Sequence, residues 1–304
     1  MYRTKEILSE LKELNLRTYP FERVNELIKE LFQFNVMSYT LDKGKILLRA
    51  RLNKKGEVFR KVSDLSYKPQ EYNETFQRAS TPNTTMFYAG MISDKADSGK
   101  LINSQIVSSL EVSRLYREDV LEGEEKITYG KWEVKREIPL IALCYNDDYK
   151  ERNLFTKKLN ESFHKLLSKE PPKQQENTKL ITEFFANEFA KSKIRNDYEY
   201  MLSAIFTENV VKAGYAGVFY PSVRSEGHGF NVAITSQSVN SNLRLTGVGT
   251  ATLYKKGNRS FLNNDGYTII KPGQKGFTVN SIRNPKIYTQ KEIILKFLNH
   301  EIDL

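Results

Sequence analysis

Apolar residues at helical spacing occupy the first part of the chain, residues 3–34. Their spacing of three to four residues gives a helix one apolar face, and Pro20 interrupts the pattern. We therefore predict a helical segment that is broken around this proline. The positions predicted to face inward are Ile7, Leu11, Leu14, Val24, Leu27, Ile28 and Leu31.

Strand-like runs dominate the next part of the chain. Residues 44–52 have the pattern of a strand and residues 86–90 form a short apolar strand, and the polar, turn-rich stretch 54–84 separates them. Residues 131–145 alternate and then become fully apolar, which predicts further strands. Residues 101–116 have the apolar spacing of a helix. The predicted inner face of this helix comprises Ile102, Ile106, Leu110 and Leu115.

Both kinds of element continue in the second half of the chain. Residues 169–178 contain two prolines and no apolar residue, which predicts a linker. Apolar spacing predicts helices at 178–193 and 196–213, whose phenylalanines are most simply interpreted as core. A strand is predicted at 217–220, and a late helix at 290–299. Turns are predicted at Lys256-Gly257-Asn258, Asn264-Asp265-Gly266 and Pro272-Gly273.

The order of these elements determines the predicted fold class. Strands and helices come in mixed blocks, without the strict alternation that builds a parallel sheet, and this favours an α+β fold. We predict an N-terminal helical segment, 1–40, followed by a main domain, 41–304. The main domain is predicted to carry a helical insertion around 150–215.

Composition narrows the class of protein. Of the 304 residues, 39% are hydrophobic, which argues against wholesale disorder. A membrane span would need a run of about 18 apolar residues, and the sequence has none. The N-terminus lacks the apolar stretch of a signal peptide, and the single cysteine, Cys144, excludes an internal disulfide. We therefore expect a cytoplasmic protein that has no membrane partner.

The chain is basic, with a formal net charge of +10 and a pI near 9.3. A basic surface favours polyanions, such as nucleic acid, an acidic protein or a small molecule with phosphates. The lysines are dispersed and do not form one tract, which makes nucleic acid the less favoured partner. A non-enzymatic, basic nucleic-acid-binding module stays open as an alternative.

Several familiar motifs are absent from the sequence. There is no GxxxxGK[ST] loop, no GxGxxG after a strand and no GxSxG elbow, so the usual phosphate loops and the serine-hydrolase turn are missing. His164, His228 and His300 are isolated, without HExxH or CxxC spacing. We therefore expect no metal site.

Arginines lie in or before two of the predicted strands. Arg49 and Arg51 share one face of the first strand, because side chains alternate along a strand. Such a pair suits a pyrophosphate or a carboxylate, and the alternative is an edge strand with a solvated arginine face. Arg78 lies in a polar loop before the strand that carries Tyr88. A turn followed by an ordinary core strand is the alternative there.

Two further segments place polar residues beside apolar ones. Glu111 follows Leu110 of the predicted inner face, although a lone glutamate on a helix is usually exposed. The strand at 217–220 stops at Pro221 and leads into a polar cluster, which is how a buried strand brings side chains to the rim of a pocket. The cluster comprises Ser222, Arg224, Ser225, His228 and Asn231.

Taken together and in this order, the four segments resemble the RES domain, a family named for its Arg, Glu and Ser residues. The resemblance covers roughly residues 44–245. Thr84 or Thr85 stands where the family often has a glycine, and residues 145–215 are longer than in compact members. The matching motifs are Arg49-Ala50-Arg51, Arg78 to Pro82, Phe87-Tyr88-Ala89, Leu110-Glu111, Tyr220-Pro221-Ser222 and Asn231.

The resemblance implies an ADP-ribosyltransferase-like fold, a mixed β core with flanking helices, with NAD as the substrate and no metal. Members of the family are bacterial toxins that an antitoxin protein holds inactive. Some cleave the nicotinamide–ribose bond with water or phosphate as acceptor, and others modify a protein. NAD glycohydrolase, NAD phosphorylase and protein ADP-ribosyltransferase therefore all stay open. A homo-oligomer also stays open, and the N-terminal helices would suit assembly or antitoxin docking.

The resemblance also implies roles for individual charged residues. Glu111 would stabilise the positive charge that develops on the ribose, as in glycoside cleavage. Arg49 and Arg78 would bind the pyrophosphate through bidentate hydrogen bonds. Arg51 would be a second phosphate contact or a support for the glutamate.

Polar residues that carry no charge complete the implied site. Tyr88 would pack on the nicotinamide or the ribose, and Ser222 and Asn231 would hold the amide or the ribose. Ser222 is expected to orient the substrate without attacking it, because no histidine base lies in register with it. The predicted catalytic residues are therefore Arg49, Glu111 and Ser222, and the predicted substrate-binding residues are Arg51, Arg78, Tyr88 and Asn231.

Overall fold

One ten-stranded sheet organises the part of the chain that the computed structural model describes, which is residues 2–32, 36–91, 104–143, 151, 154–225, 229–282 and 287–301. Its spatial order is β1-β5-β6-β7-β3-β2-β4-β8-β9-β10. Neighbouring strands are antiparallel except for the parallel pair β5 and β6. The strands are β1 Ser38–Leu41, β2 Ile46–Leu52, β3 Met86–Met91, β4 Glu122–Val134, β5 Ile138–Ala142, β6 Gly217–Pro221, β7 Phe230–Thr235, β8 Leu243–Lys256, β9 Arg259–Ile269 and β10 Asn280–Ser281.

Helices in the described residues pack against the sheet, and the predicted α+β class is confirmed. Short 3-10 helices lie at Leu16–Thr18, Val62–Leu65, Gln70–Tyr72 and Asp197–Tyr200. The α-helices are α1 Tyr2–Glu13, α2 Phe21–Leu31, α3 Ser104–Val112, α4 Arg114–Arg117, α5 Leu154–Leu167, α6 Pro172–Ala190, α7 Met201–Lys212, α8 Ser236–Asn242 and α9 Ile287–Leu298.

The N-terminal helices share a core with the helices of the predicted insertion. Leu27 of α2, Phe185 of α6 and Phe206 of α7 are fully buried and belong to one cluster with Val218 of β6 and Ala233 of β7. The helices α5 to α7 also connect the parallel strands β5 and β6, a connection that needs a dozen or more residues. Both segments are therefore built into the body of the fold.

A second core lies on the opposite face of the sheet. Phe87, Phe219 and Phe230 are buried there, and Phe163 of α5 and Val239 of α8 pack with them. The central strands are thus covered on both faces, which explains why β3, β6 and β7 are nearly continuous apolar runs.

Three predictions about local structure are wrong. The expected linker at 169–178 is the start of α6, because a proline at the first helical turn fits helical geometry and loses no needed hydrogen bond. The expected turn at 264–266 lies inside β9, opposite a register shift at Thr250/Ala251. The helix expected at 101–116 ends at Val112, and Ile106 is 37% exposed while Val107 is buried. Ile102 lies outside the described residues.

Candidate active site

A gap between two strands of the sheet forms the candidate site. β2 pairs with β3 only at Leu47↔Met91 and Leu48↔Gly90, although both strands continue beyond these pairs. β2 pairs along its length with β4, and β3 pairs with β7, so the sheet stays continuous on either side. A cavity of about 550 Å³ opens at this gap. Its lining includes Arg49, Arg78, Tyr88, Glu111 and Asn231. The cavity therefore brings together residues from all four segments singled out in the sequence.

Two glycines let α3 lie close over the gap. A Cβ added at Gly90 would come within 2.7 Å of Ser108 Oγ, and one added at Gly229 would come within 2.5 Å of Val107 Cγ2. Ser108 Oγ donates a hydrogen bond of 3.0 Å to the carbonyl oxygen of Leu48 in β2. The helix is therefore fixed against both β2 and β3, and Glu111 on its last turn reaches the cavity.

The carboxylate of Glu111 is held through one of its two oxygens. Its Oε1 accepts a hydrogen bond of 2.6 Å from Ser222 Oγ and one of 2.9 Å from Asn231 Nδ2. No described residue donates to Oε2. Hydrogen bonds to an ionised carboxylate are stronger than neutral ones and fix its direction. Glu111 is thus a positioned carboxylate that keeps one oxygen available to a ligand in the cavity.

Ser222 lies behind Glu111 and is not on the cavity wall. Its side chain is fully buried, and its Oγ also accepts a hydrogen bond of 3.3 Å from the backbone nitrogen of Ser225. Asn231, in contrast, does line the cavity. The hydroxyl of Ser222 contacts Glu111, and its expected contact with the substrate stays a prediction.

Arg49 lies in the gap where the ladder between β2 and β3 is missing. Its Nη1 donates a hydrogen bond of 2.8 Å to the carbonyl oxygen of Tyr88, and its guanidinium carbon lies 5.2 Å from the centre of the Phe87 ring. Its Nε is buried without a hydrogen-bond partner. Burial, and to a smaller extent the charge of Arg51, lowers the pKa of Arg49 to about 10, so the side chain stays cationic at neutral pH. An anion in the cavity would compensate this buried charge.

The other two predicted arginines make backbone contacts. Both terminal nitrogens of Arg78 donate to carbonyl oxygens at the end of α6, those of Phe189 and Lys191, the latter at 2.9 Å. Arg78 lines the cavity, but its hydrogen bonds hold the cavity wall. Arg51 lies outside the cavity, since its Nη1 donates to the carbonyl oxygen of Asp64. The described donors to Glu111 are Ser222 and Asn231, so Arg51 does not support the carboxylate by a direct hydrogen bond.

Three tyrosines of the described part of the chain, Tyr88, Tyr200 and Tyr220, line the cavity. The hydroxyl of Tyr88 accepts a hydrogen bond of 3.0 Å from the backbone nitrogen of Ala79 and lies 2.8 Å from Ser80 Oγ. Burial raises the pKa of Tyr88 to about 12, so the hydroxyl is neutral at ordinary pH. Tyr220 also lines the cavity, and burial raises its pKa well above the usual value. No described residue bonds the hydroxyl of Tyr220, which leaves a neutral donor facing the cavity.

Sequence reasoning assigned no role to several residues that line the cavity, among them Tyr200, Tyr220 and Arg224. Arg224 is part of the polar cluster after β6, two positions beyond Ser222, and that spacing was the one available signal. Tyr200 is placed by the guanidinium of Arg78, whose carbon lies 5.3 Å from its ring centre. His228, from the same polar cluster, lies outside the described residues.

A larger cavity, of about 620 Å³, lies between the 3-10 helix at Val62–Leu65 and strand β8. Its arginine, Arg244, already has a carboxylate partner, since Nη2 lies 2.6 Å from an oxygen of Glu133. The smaller cavity is the better candidate because it combines a fixed carboxylate with several arginines.

No known protein family matches this chain, and no curated protein matches it either. Within the described ranges, no cluster of three or more His, Cys, Asp and Glu side chains is arranged to hold a metal ion. No helix in the same residues is both long enough and apolar enough to cross a bilayer.

Proposed function

We propose that the protein cleaves the nicotinamide–ribose bond of NAD, as a RES-type enzyme with an ADP-ribosyltransferase-like core. The observation that carries the proposal is the carboxylate of Glu111, fixed through Oε1 by two donors and open at Oε2 to a cavity rich in arginine. The order of the sequence motifs and the position of the gap between β2 and β3 both support it.

The reaction needs a negative charge next to the ribose. When the bond between C1′ of the ribose and the ring nitrogen breaks, its electron pair goes to the nitrogen and neutral nicotinamide leaves. The ribosyl carbon becomes oxocarbenium-like, and a fixed carboxylate stabilises that positive charge without reorganising. Oε2 of Glu111 is available for this task or for holding a ribose hydroxyl. Water or phosphate then adds to C1′, and the proton it loses goes to solvent.

The size and charge of the cavity suit a dinucleotide. Sites for small molecules commonly enclose about 300–1,000 Å³, and this cavity has about 550 Å³. Four arginines and two glutamates line it, which leaves a positive excess. The pyrophosphate of NAD carries two negative charges, and guanidinium groups bind phosphate oxygens in a bidentate manner. The charged residues of the lining are Arg49, Arg78, Arg117, Arg224, Glu111 and Glu118.

We also propose an acidic antitoxin protein as the partner, since a surface with a net charge of +10 favours an acidic inhibitor. A protein ADP-ribosyltransferase would use the same carboxylate and the same NAD pocket, and would differ only in the acceptor. Identifying the acceptor of the ADP-ribose by experiment therefore distinguishes the two activities.

The direct test is to incubate the purified protein with NAD, with and without phosphate, and to measure nicotinamide by chromatography. We expect release by the wild type and a loss of at least about 10²-fold in Glu111→Gln, which keeps the shape of the side chain and removes its charge. Glu71→Gln is the matched control, because Glu71 is exposed and lines the other cavity.

Other outcomes separate the alternatives. Transfer of labelled ADP-ribose to proteins of a lysate, without release of free ADP-ribose, identifies a protein ADP-ribosyltransferase. Absence of both activities rejects the proposal. Binding of nucleic acid that weakens steeply with salt and is indifferent to Glu111→Gln would instead support a basic binding module.

A further inference from the structure

The four arginines that line the cavity differ in how many of their donors are already engaged. Both terminal nitrogens of Arg78 bond to backbone carbonyls, and one terminal nitrogen of Arg49 does the same. Arg117 is exposed at the rim. Arg224 is half-buried, and its side chain makes no hydrogen bond or ion pair with any described residue. No described residue therefore occupies a donor of its guanidinium, in contrast to the donors of Arg78 and Arg49.

The backbone that carries Arg224 is held by the same residues that hold the carboxylate. Ser225 donates from its nitrogen to Ser222 Oγ at 3.3 Å, and its Oγ accepts a hydrogen bond of 3.0 Å from the nitrogen of Gly229. Ser222 in turn bonds Glu111. The guanidinium and the carboxylate are thus placed by one buried network.

We infer that Arg224 binds the pyrophosphate of NAD, beside Arg49, and so selects for substrates that carry a diphosphate. The inference rests on the proposed function and adds a substrate-binding residue to it. No described residue provides a counter-ion for this half-buried guanidinium. A bound phosphate would offset the cost of burying the charge and would accept two parallel hydrogen bonds. Arg78 cannot take this role without giving up its contacts with the end of α6.

The inference predicts a dependence on the number of phosphates in the substrate. NAD carries a pyrophosphate, whereas nicotinamide riboside carries the same scissile bond and no phosphate. We expect Arg224→Gln to raise the KM for NAD about 10- to 100-fold, the range for losing a hydrogen bond to a charged group, with kcat nearly unchanged. The rate with nicotinamide riboside should not change. Arg195→Gln is the matched control, since Arg195 is exposed and lies outside the cavity lining.

Ligand binding separates a failure of this inference from a failure of the proposed function. The binding of ADP, and of adenosine as the ligand without phosphate, is measured by calorimetry with wild-type protein and with Arg224→Gln. We expect the substitution to weaken ADP about 10- to 100-fold and to leave adenosine unchanged. Thermal unfolding of the variant checks that it folds.

Each outcome decides a different question. If ADP binds Arg224→Gln as it binds the wild type, or does not bind the wild type at all, the inference is wrong. If ADP binding depends on Arg224 but no nicotinamide is released from NAD, the diphosphate site stands and the proposed reaction fails. If NAD is cleaved and the KM of Arg224→Gln equals that of the wild type, the reaction stands and Arg224 has no part in it.

Discussion

The border between β3 and β2 divides the sheet into two halves that are built differently. In the inner half, which runs from β1 to β3 in the sheet order, all five residues of β6 are buried. In the outer half, which runs from β2 to β10, the eleven residues of β9 include one buried residue, Gly266. Helices cover both faces of the inner half, whereas β8 and β9 form a long ribbon in which most residues are only partly buried or exposed.

This difference shows why the site lies at the border. The inner half supplies the fixed parts, namely Tyr88 in β3, Asn231 in β7 and Ser222 directly after β6, and packing on both sides determines the positions of these strands. The outer half supplies Arg49, in a strand that leaves its neighbour after two residue pairs. The proposed reaction would need a rigidly held carboxylate and an opening for a substrate, and the border suits both needs.

Removing a large side chain from each half should give the largest contrast. Phe219 in β6 is fully buried and stacks on Tyr39 and Phe230 at 4.5 and 4.9 Å between ring centres. We expect Phe219→Ala to lower the free energy of unfolding by about 3–5 kcal/mol. Ile269 in β9 is 71% exposed, and Ile269→Ala should cost under about 0.5 kcal/mol. Urea unfolding measures both, and equal losses would contradict the division into two halves.

The next largest effect concerns the position of α3 over the border. In Gly229→Ala, the new Cβ would meet both methyl groups of Val107, at 2.5 and 2.8 Å, and valine in a helix has little rotamer freedom to move away. A shift of α3 by a fraction of an ångström moves Glu111, so we expect kcat/KM for NAD to fall about 10²-fold.

The matched control for that glycine lies in the outer half. A Cβ at Gly249 in β8 would have its nearest contact at 3.7 Å, which is an ordinary distance. Because this substitution should not displace α3, we expect Gly249→Ala to keep kcat/KM for NAD within about twofold of the wild-type value. Equal activity of the two alanine variants would show that the close approach at Gly229 does not position the carboxylate.

A third prediction tests whether the two halves unfold together. Burial raises the pKa of Tyr88 in the inner half and of Tyr129 in the outer half to about 12. Below pH 10 both are neutral in either state, but between about pH 10 and 12 they ionise only in the unfolded chain, so stability falls as pH rises. Tyr88→Phe and Tyr129→Phe should each reduce this fall by up to about 2.7 kcal/mol.

Urea unfolding at pH 9.5 and pH 12 measures the reduction for each variant. If only one tyrosine contributes to the global transition, the two halves unfold separately.

The smallest effect is expected inside the network of the carboxylate. Ser222→Ala removes one of two hydrogen bonds to Oε1 of Glu111 and leaves the bond from Asn231. We expect kcat/KM for NAD to fall about tenfold, which is less than in Glu111→Gln. No covalent intermediate should form on this buried serine, and mass spectrometry after rapid quenching checks this. A labelled Ser222 would contradict its assignment as a positioning residue.

Much of the inner half could be predicted from the sequence, because its strands are buried on both faces and appear as short apolar runs. Residues 86–90 and 217–220 were predicted in this way, and β3 and β6 occupy them. The outer half was harder, because long, partly exposed strands lack such a signal. The Asn-Asp-Gly sequence at 264–266 has the composition of a turn, yet pairing with β8 on one side and β10 on the other keeps it extended.

Most residues of the candidate site could also be predicted from the sequence, but the contacts of their side chains could not. Arg49, Tyr88, Glu111 and Asn231 all line one cavity. The partners of Arg78, in contrast, are carbonyl groups 111 and 113 positions further along the chain. No local pattern records such a contact, because every residue has a carbonyl and only the fold decides which one is near. The roles of these residues in a reaction stay predictions.

The order of the contacts along the chain has a consequence for synthesis. Glu111 receives its two hydrogen bonds from residues that follow it by 111 and 120 positions. A chain that has been translated only as far as α7 therefore carries the carboxylate, Arg49 and Tyr88 but neither donor that fixes Oε1. Products that terminate before Asn231 therefore cannot assemble the site, and within a cell the site forms only in chains that extend past this residue.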